Sequence, residues 1–181
     1  MTGANSTENL NHLLGLFFAE GEAVGQFVET PADSMPDAYR RLLDHEEHMT
    51  VAVEAHHESL VDVEVLETNI TETHYSRRIL LRRRDNREVV QWGLVRIHLA
   101  SLSDEVREEI EQQHRPLGRI LVRHNFLRTI HVDALWKVET GPELYEQFGL
   151  DTPTTVYGRT ADIHLNGEPA VEVLEIVAPL A

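Results

Sequence analysis

The chain has 181 residues, no cysteine and a formal net charge of −15, from 31 acidic against 16 basic side chains. That length predicts one domain, 1–181, burying roughly two thirds of its unfolded surface. The charge argues against a nucleic-acid partner, and the absence of thiols excludes disulfides, thiolate metal sites and cysteine nucleophiles, which fits a cytoplasmic protein. No segment approaches the 18 or so apolar residues that a membrane span needs, and the short apolar run from Leu13 to Phe18 lacks a basic leader.

Residues 1–7 (MTGANST) predict a disordered start, and 8–40 a mainly helical N-terminal segment. Thr7 is placed to cap a helix from about Glu8, with Leu10, Leu13, Leu14, Phe17 and Phe18 at helical spacing until Gly21 or Gly25 ends it. Beyond a proline-containing linker, Ala38, Tyr39, Leu42 and Leu43 mark a second helix. His45, His48, His56 and His57 then cluster with acids. A zincin helix places two histidines four apart with a glutamate beside the first; His45 and His48 are three apart, so no metal is assigned.

From Val61 the pattern is strand, and a second strand follows in THYSRRILLRRR. There Tyr75, Arg77, Ile79 and Leu81 share one side, so Arg77 keeps apolar company. An inward guanidinium needs a partner, either an internal acid in a structural salt bridge or the carboxylate of a ligand. A turn at Asp85-Asn86-Arg87 leads into EVVQWGLVRIHL, apolar on both sides and therefore a central strand.

Ser103 predicts an N-cap, with Val106 and Ile110 as the inner stripe of a helix that stops before Pro116. RPLGRILVRHNFL starts another helix, with His124 at its end. A strand from about Ile130 to Glu139 carries Lys137, the chain's single lysine, at a solvated position, and Thr140 with Glu143 forms a capping-box pattern ahead of Leu144, Phe148 and Gly149.

The last stretch is a hairpin: VYGRTADIHL and PAVEVLEIV flank Asn166-Gly167, which suits a type I′ turn. If Leu165 and Glu168 close the turn, counting seven residues back along each arm sets Gly158 opposite Glu175. Glu175 is in phase with Val171, Val173 and Val177; position alone leaves open whether that side faces inward or outward. The succession of strands and helices predicts an α+β fold with helices packed on a single antiparallel sheet.

In this order HMT near Met49, YSRRILL, LVRIHL, RPLGRIL, YGR and LEIVAP resemble the chorismate lyase (chorismate pyruvate-lyase, 4-hydroxybenzoate synthase) family, in particular its prokaryotic chorismate lyase-like branch, from about Leu42 to Pro179. The resemblance implies an internal aromatic-acid site under helix-turn-helix flaps and cofactor-independent removal of the enolpyruvyl group of chorismate as pyruvate, leaving 4-hydroxybenzoate. It carries over Arg77 as anchor of the ring carboxylate and Glu175 as the acid at the ether end, protonated by burial, the two catalytic residues. Met49 and Leu117 contact the ligand through main-chain groups, and Gly158 leaves space beside Glu175. Anchoring the hairpin on Gly167 instead of Pro179 shifts the acid's position to Leu174.

Arg78, Arg115 or Arg119 are candidates to draw an anionic substrate to so acidic a protein. Two rivals share the site: a lyase for a related enolpyruvyl substrate, and a non-catalytic aromatic-acid binder like the ligand-sensing domains of transcription regulators. Such regulators carry a basic winged-helix domain ahead of the sensor, whereas here the preceding segment is short and acidic. Partners are expected to be a small molecule and at most a second copy, a monomer or homodimer, with neither nucleic acid nor membrane.

Overall fold

The computed structural model describes residues 3–180, with side chains from Asn5 onward. Seven strands, β1 (Gly25–Glu29), β2 (Val61–Ile70), β3 (His74–Arg83), β4 (Val89–His98), β5 (Arg128–Thr140), β6 (Thr155–Leu165) and β7 (Glu168–Val177), form one antiparallel sheet. Their order is β1-β5-β6-β7-β4-β3-β2. Six helices accompany them: α1 (Gly3–Gly15), α2 (Asp37–Leu43), α3 (Met49–His57), α4 (Asp104–Glu111), α5 (Leu117–Arg123) and α6 (Pro142–Phe148). The α+β expectation holds, and among the described residues no helix is long and apolar enough to cross a membrane.

Period-2 alternation divides the strands between two cores. On one face Leu10, Leu13 and Leu14 of α1 and Leu144 of α6 bury against Leu80, Trp92, Trp136 and Leu174. The opposite face carries α2 and α3 over Ile79, Leu81 and Val177, and α4 and α5 over Tyr75, Val95, Ile163 and Val173. This second face, roofed by two helix-loop-helix pairs, is the one to which β7 turns Val171, Val173 and Val177. Both faces being covered, every central strand is apolar on both sides.

Several boundaries differ from the sequence pattern. The helix α1 starts at Gly3, so residues 3–7 are ordered, while Met1 and Thr2 lie outside the described residues. Ser6 is fully buried, and packing overrides the weak helix propensity of GANST. The helix ends at Gly15, and the segment to residue 40 is not mainly helical: Gly25–Glu29 forms β1, an edge strand on β5. Gly25 approaches that neighbour so closely that a Cβ would lie 2.5 Å from the Glu139 carbonyl oxygen.

The capping box does not form. Thr140 ends β5 and its hydroxyl accepts from the Thr154 amide at 3.0 Å, leaving Gly141 as N-cap. Glu143 instead spans the core to accept from Trp92 Nε1 at 3.0 Å and from Arg78.

Candidate functional site

Arg77 enters the roofed face between Tyr75 and Ile79, where it is fully buried. None of its three guanidinium nitrogens makes a hydrogen bond of good geometry, and its polar neighbour is the Tyr75 hydroxyl. Burial pulls its pKa down, opposed by the field of Tyr75 and its hydrogen-bonding oxygen, but a guanidinium stays charged in a protein. The internal acid that a structural salt bridge requires is not beside it among the described residues.

Glu175 shares this face two strands away. The hairpin closes at Leu165–Glu168, with Asn166 and Gly167 both at positive φ, as its turn predicts. Pro169 has no amide hydrogen to give the ladder, and a bulge follows: His164 pairs with Pro169 and Ile163 with Val171, leaving Ala170 over. Glu175 therefore faces Arg159, while Gly158 faces Ile176. The placing of Gly158 as open space beside Glu175 is thus corrected: a Cβ there would lie 2.6 Å from the Glu175 carbonyl oxygen, in a packed ladder on the far side from the chamber.

Arg159, which the register count misses, is fully engaged. Its Nε donates to Glu175 Oε2 at 2.8 Å, Nη1 to the His45 carbonyl at 2.7 Å and Nη2 to the Glu47 carbonyl at 2.9 Å. One buried side chain thus fastens the α2–α3 loop to the sheet and holds Glu175 as an acceptor. In this geometry Glu175 receives a hydrogen bond, whereas the role expected for it at an ether oxygen is to give one.

Above Gly93, which pairs with Ile79 on one side and Glu175 on the other, the missing side chain leaves a floor. A small chamber of about 30 Å³ lies there, room for about a single water. Met49 and Leu117, the first residues of α3 and α5, line it together with Glu175, Gln91 and His48. Arg77 is not one of the lining residues; it stands one strand beyond them, paired with the chamber wall Val95. Strand spacing and rise put the Arg77 and Glu175 Cα atoms roughly 12 Å apart on this face. Gln91 Oε1 and His48 Nε2 are also buried without partners. Burial, reinforced by Arg128 and Arg159, lowers the His48 pKa to about 4, so the imidazole is neutral.

No protein-family model matches the sequence, and no curated protein is significantly similar to it. Among solved structures the chain is similar to a possible transcriptional regulator, YydK, from Bacillus subtilis, with 13% identity and a TM-score of 0.48 over 67% of this chain and 60% of that one. It is similar also to the ligand-binding domain of a protein assigned to the GntR family of transcriptional regulators in Bordetella bronchiseptica (12% identity, TM-score 0.49, 65% of this chain and 85% of that one). A third likeness is to the C-terminal domain of the histidine utilization repressor from Pseudomonas syringae (10% identity, TM-score 0.45, 65% and 91%). With every TM-score below 0.5, none of these likenesses assigns a function.

Three of the five residues singled out from sequence, Glu175, Met49 and Leu117, line one chamber; Arg77 lies beside its wall Val95, and Gly158 is on the other face. Of the arginines considered for an entrance, Arg78 lies on the opposite face, bound to Glu143 and stacked over Phe18, whereas Arg119 joins α5 to Glu54 of α3 and Arg115 pairs with Glu109 of α4. The histidines disperse: His45 bonds the Leu42 carbonyl at 2.7 Å, His48 is buried, and His56 and His57 lie at the end of α3. Among the described residues no three His, Asp or Glu side chains converge to hold a metal.

His124 caps α5 and meets Glu109 at 2.6 Å, a helix-end role, and Lys137 is exposed. Gln91 and Gly93 were legible only as members of an apolar strand; Arg159 had a sequence signal in Pro169, the proline that marks a bulge.

Proposed function

We propose that this chain binds a small aromatic monocarboxylate in the chamber, with Arg77 as the carboxylate anchor. The observation that supports this is the guanidinium itself, fully buried beside the Tyr75 hydroxyl with no acid paired to it among the described residues. A cation left in that state costs several kcal/mol, and a carboxylate matched to its fork is the partner that recovers most of it. The walls favour an apolar ring: Met49, Ile79, Leu81, Val95, Leu117, Ile163 and Val173 surround a few polar atoms. Glu175 and Gln91 Oε1 provide acceptors for a hydroxyl such as that of 4-hydroxybenzoate.

The closed chamber is smaller than a ring, so binding requires the α2–α3 and α4–α5 roof to lift. The two halves of that roof are tied by the Arg119–Glu54 pair, which is partly exposed and therefore weak.

Removal of the enolpyruvyl group of chorismate is the second reading, favoured by Glu175, Met49 and Leu117 lining the chamber, with Arg77 beside its wall Val95. It ranks behind simple binding because Glu175 accepts from Arg159, and a leaving ether oxygen needs a donor.

Titration with 4-hydroxybenzoate and with its uncharged amide separates the readings, alongside incubation with chorismate. The acid is expected to raise Tm in wild type and not in Arg77→Met, the amide in neither. Equal stabilisation by the amide would refute the Arg77 anchor, and pyruvate release that Arg77→Met abolishes would promote the lyase.

A further inference from the structure

Outside the chamber an open groove of about 450 Å³ runs between the start of α3 and the end of α5, bounded by Glu47, Val51, Val122, Leu127 and Arg128. It is large enough for a single-ring acid, and its apolar members are exposed: Val51 by 48%, Val122 by 44% and Leu127 by 76%. Arg128 makes no ion pair among the described residues, and its hydrogen bond is to the nearby Phe126 carbonyl at 3.4 Å. The groove therefore offers an anion one cation, Arg128, next to an apolar wall, with Glu46 and Glu47 on the same rim.

One residue belongs to the walls of both spaces. His48 lines the groove and lines the chamber, so its side chain is the partition between them. Across from it stands Gly118, where a Cβ would come within 3.0 Å of the His48 Cβ and 3.1 Å of its Cγ. The imidazole fills the space that a side chain at 118 would occupy.

Nothing polar holds the ring in this position. Its Nε2 has no partner, and although His48 is the N-cap residue of α3, its side chain makes no capping bond. Rotation about χ1 thus breaks no side-chain hydrogen bond and leads the ring from a site where Nε2 is unsatisfied to one where water or an acid can meet it.

We propose that His48 is the gate between the groove and the chamber, swinging outward as the roof lifts to admit a small carboxylic acid and closing behind it against Gly118. This rests on the reading of the chamber as an acid site. The gate controls passage and leaves the bound contacts, Arg77 above all, unchanged. Opening and closing rates, and not affinity, are its signature.

The test is stopped-flow binding of 4-hydroxybenzoate to the full chain and to His48→Ala, His48→Phe and Gly118→Ala. His48→Ala is expected to raise the association and dissociation rates together, by about tenfold, with Kd changed far less. His48→Phe, which retains the bulk and loses the polar edge, and Gly118→Ala, which crowds the ring, are expected to slow both rates. A changed Kd at unchanged association rate would make His48 a ligand contact and overturn the gate. Unchanged rates in all the variants would overturn it too, while wild-type binding still upheld the chamber. If wild type binds no 4-hydroxybenzoate, chamber and gate fall together.

Discussion

Arg159 and Glu175 face each other across the β6–β7 ladder, joined Nε to Oε2 at 2.8 Å, with the guanidinium almost wholly buried. The same guanidinium serves the carbonyls of His45 and Glu47, so its removal leaves a partly buried acid and two carbonyls without that donor. Arg159→Leu is expected to cost about 3–5 kcal/mol in urea unfolding. Adding Glu175→Leu should restore part of the loss, a coupling of roughly 1–3 kcal/mol in a double-mutant cycle. Additive effects would mean that the pair does not interact in solution.

Arg77 has the opposite character. Its charge is buried without an acidic partner among the described residues, so Arg77→Met should leave the ligand-free protein as stable or raise its stability by on the order of 1–2 kcal/mol, while ligand-induced stabilisation disappears. A large loss of ligand-free stability in the variant would identify Arg77 as a structural residue.

The neutral state of His48 gives a pH dependence. Its pKa is about 4 in the fold against 6.5 unfolded, so between these values the unfolded chain takes up a proton that the folded chain refuses. Its contribution is fully present above pH 6.5, shrinks as pH falls toward 4, and stops changing below that. The loss is on the order of 3 kcal/mol. His48→Phe should flatten the stability curve over this window, read by urea midpoints at successive pH values; an unaltered slope would place the titration elsewhere.

On the other face, Glu143 is the acceptor for both Trp92 Nε1 and Arg78. Glu143→Ala leaves Trp92 Nε1 unmatched and Arg78 with Glu67 alone at 3.2 Å, and should cost about 2–3 kcal/mol, whereas Glu143→Gln keeps an oxygen for Trp92 and should cost less. Thermal melts of the two variants decide; equal losses would mean that the charge contributes all of the effect.

Gly158 tests the ladder itself. Gly158→Ala sets a Cβ against the Glu175 carbonyl oxygen at 2.6 Å and Ile176 Cγ1 at 3.0 Å, so it should destabilise by about 1–3 kcal/mol without changing the affinity of the folded protein for 4-hydroxybenzoate. Weaker binding at unchanged stability would return Gly158 to the site.

How much of this was legible depends on what each residue's signal spans. The inward phase of Arg77 follows from its neighbours at 75, 79 and 81, because alternation is local to one strand. The side on which Glu175 sits was left open by phase alone, since Leu174 and Ile176 are buried as well, in the other core. Its partner was missed for a different reason: one bulged residue near the turn displaces every later pairing, replacing Gly158 by Arg159. The edge strand β1 lacks a pattern because a single neighbour and a close glycine contact define it. The partition at His48 exists only through the convergence of segments far apart in the chain, which no local periodicity records.

The place of β7 has a consequence for synthesis. It is the last of these seven strands in chain order, yet it lies between β6 and β4, joining β1-β5-β6 to β4-β3-β2. Until it emerges from the ribosome, the nascent chain has two half-sheets whose inner edges, β6 and β4, lack their common neighbour, and such edges invite association with other chains. A chain cut at Asn166 should therefore be recovered largely in aggregates, and supplying residues 167–180 as a peptide during refolding should return part of it to solution by completing the sheet.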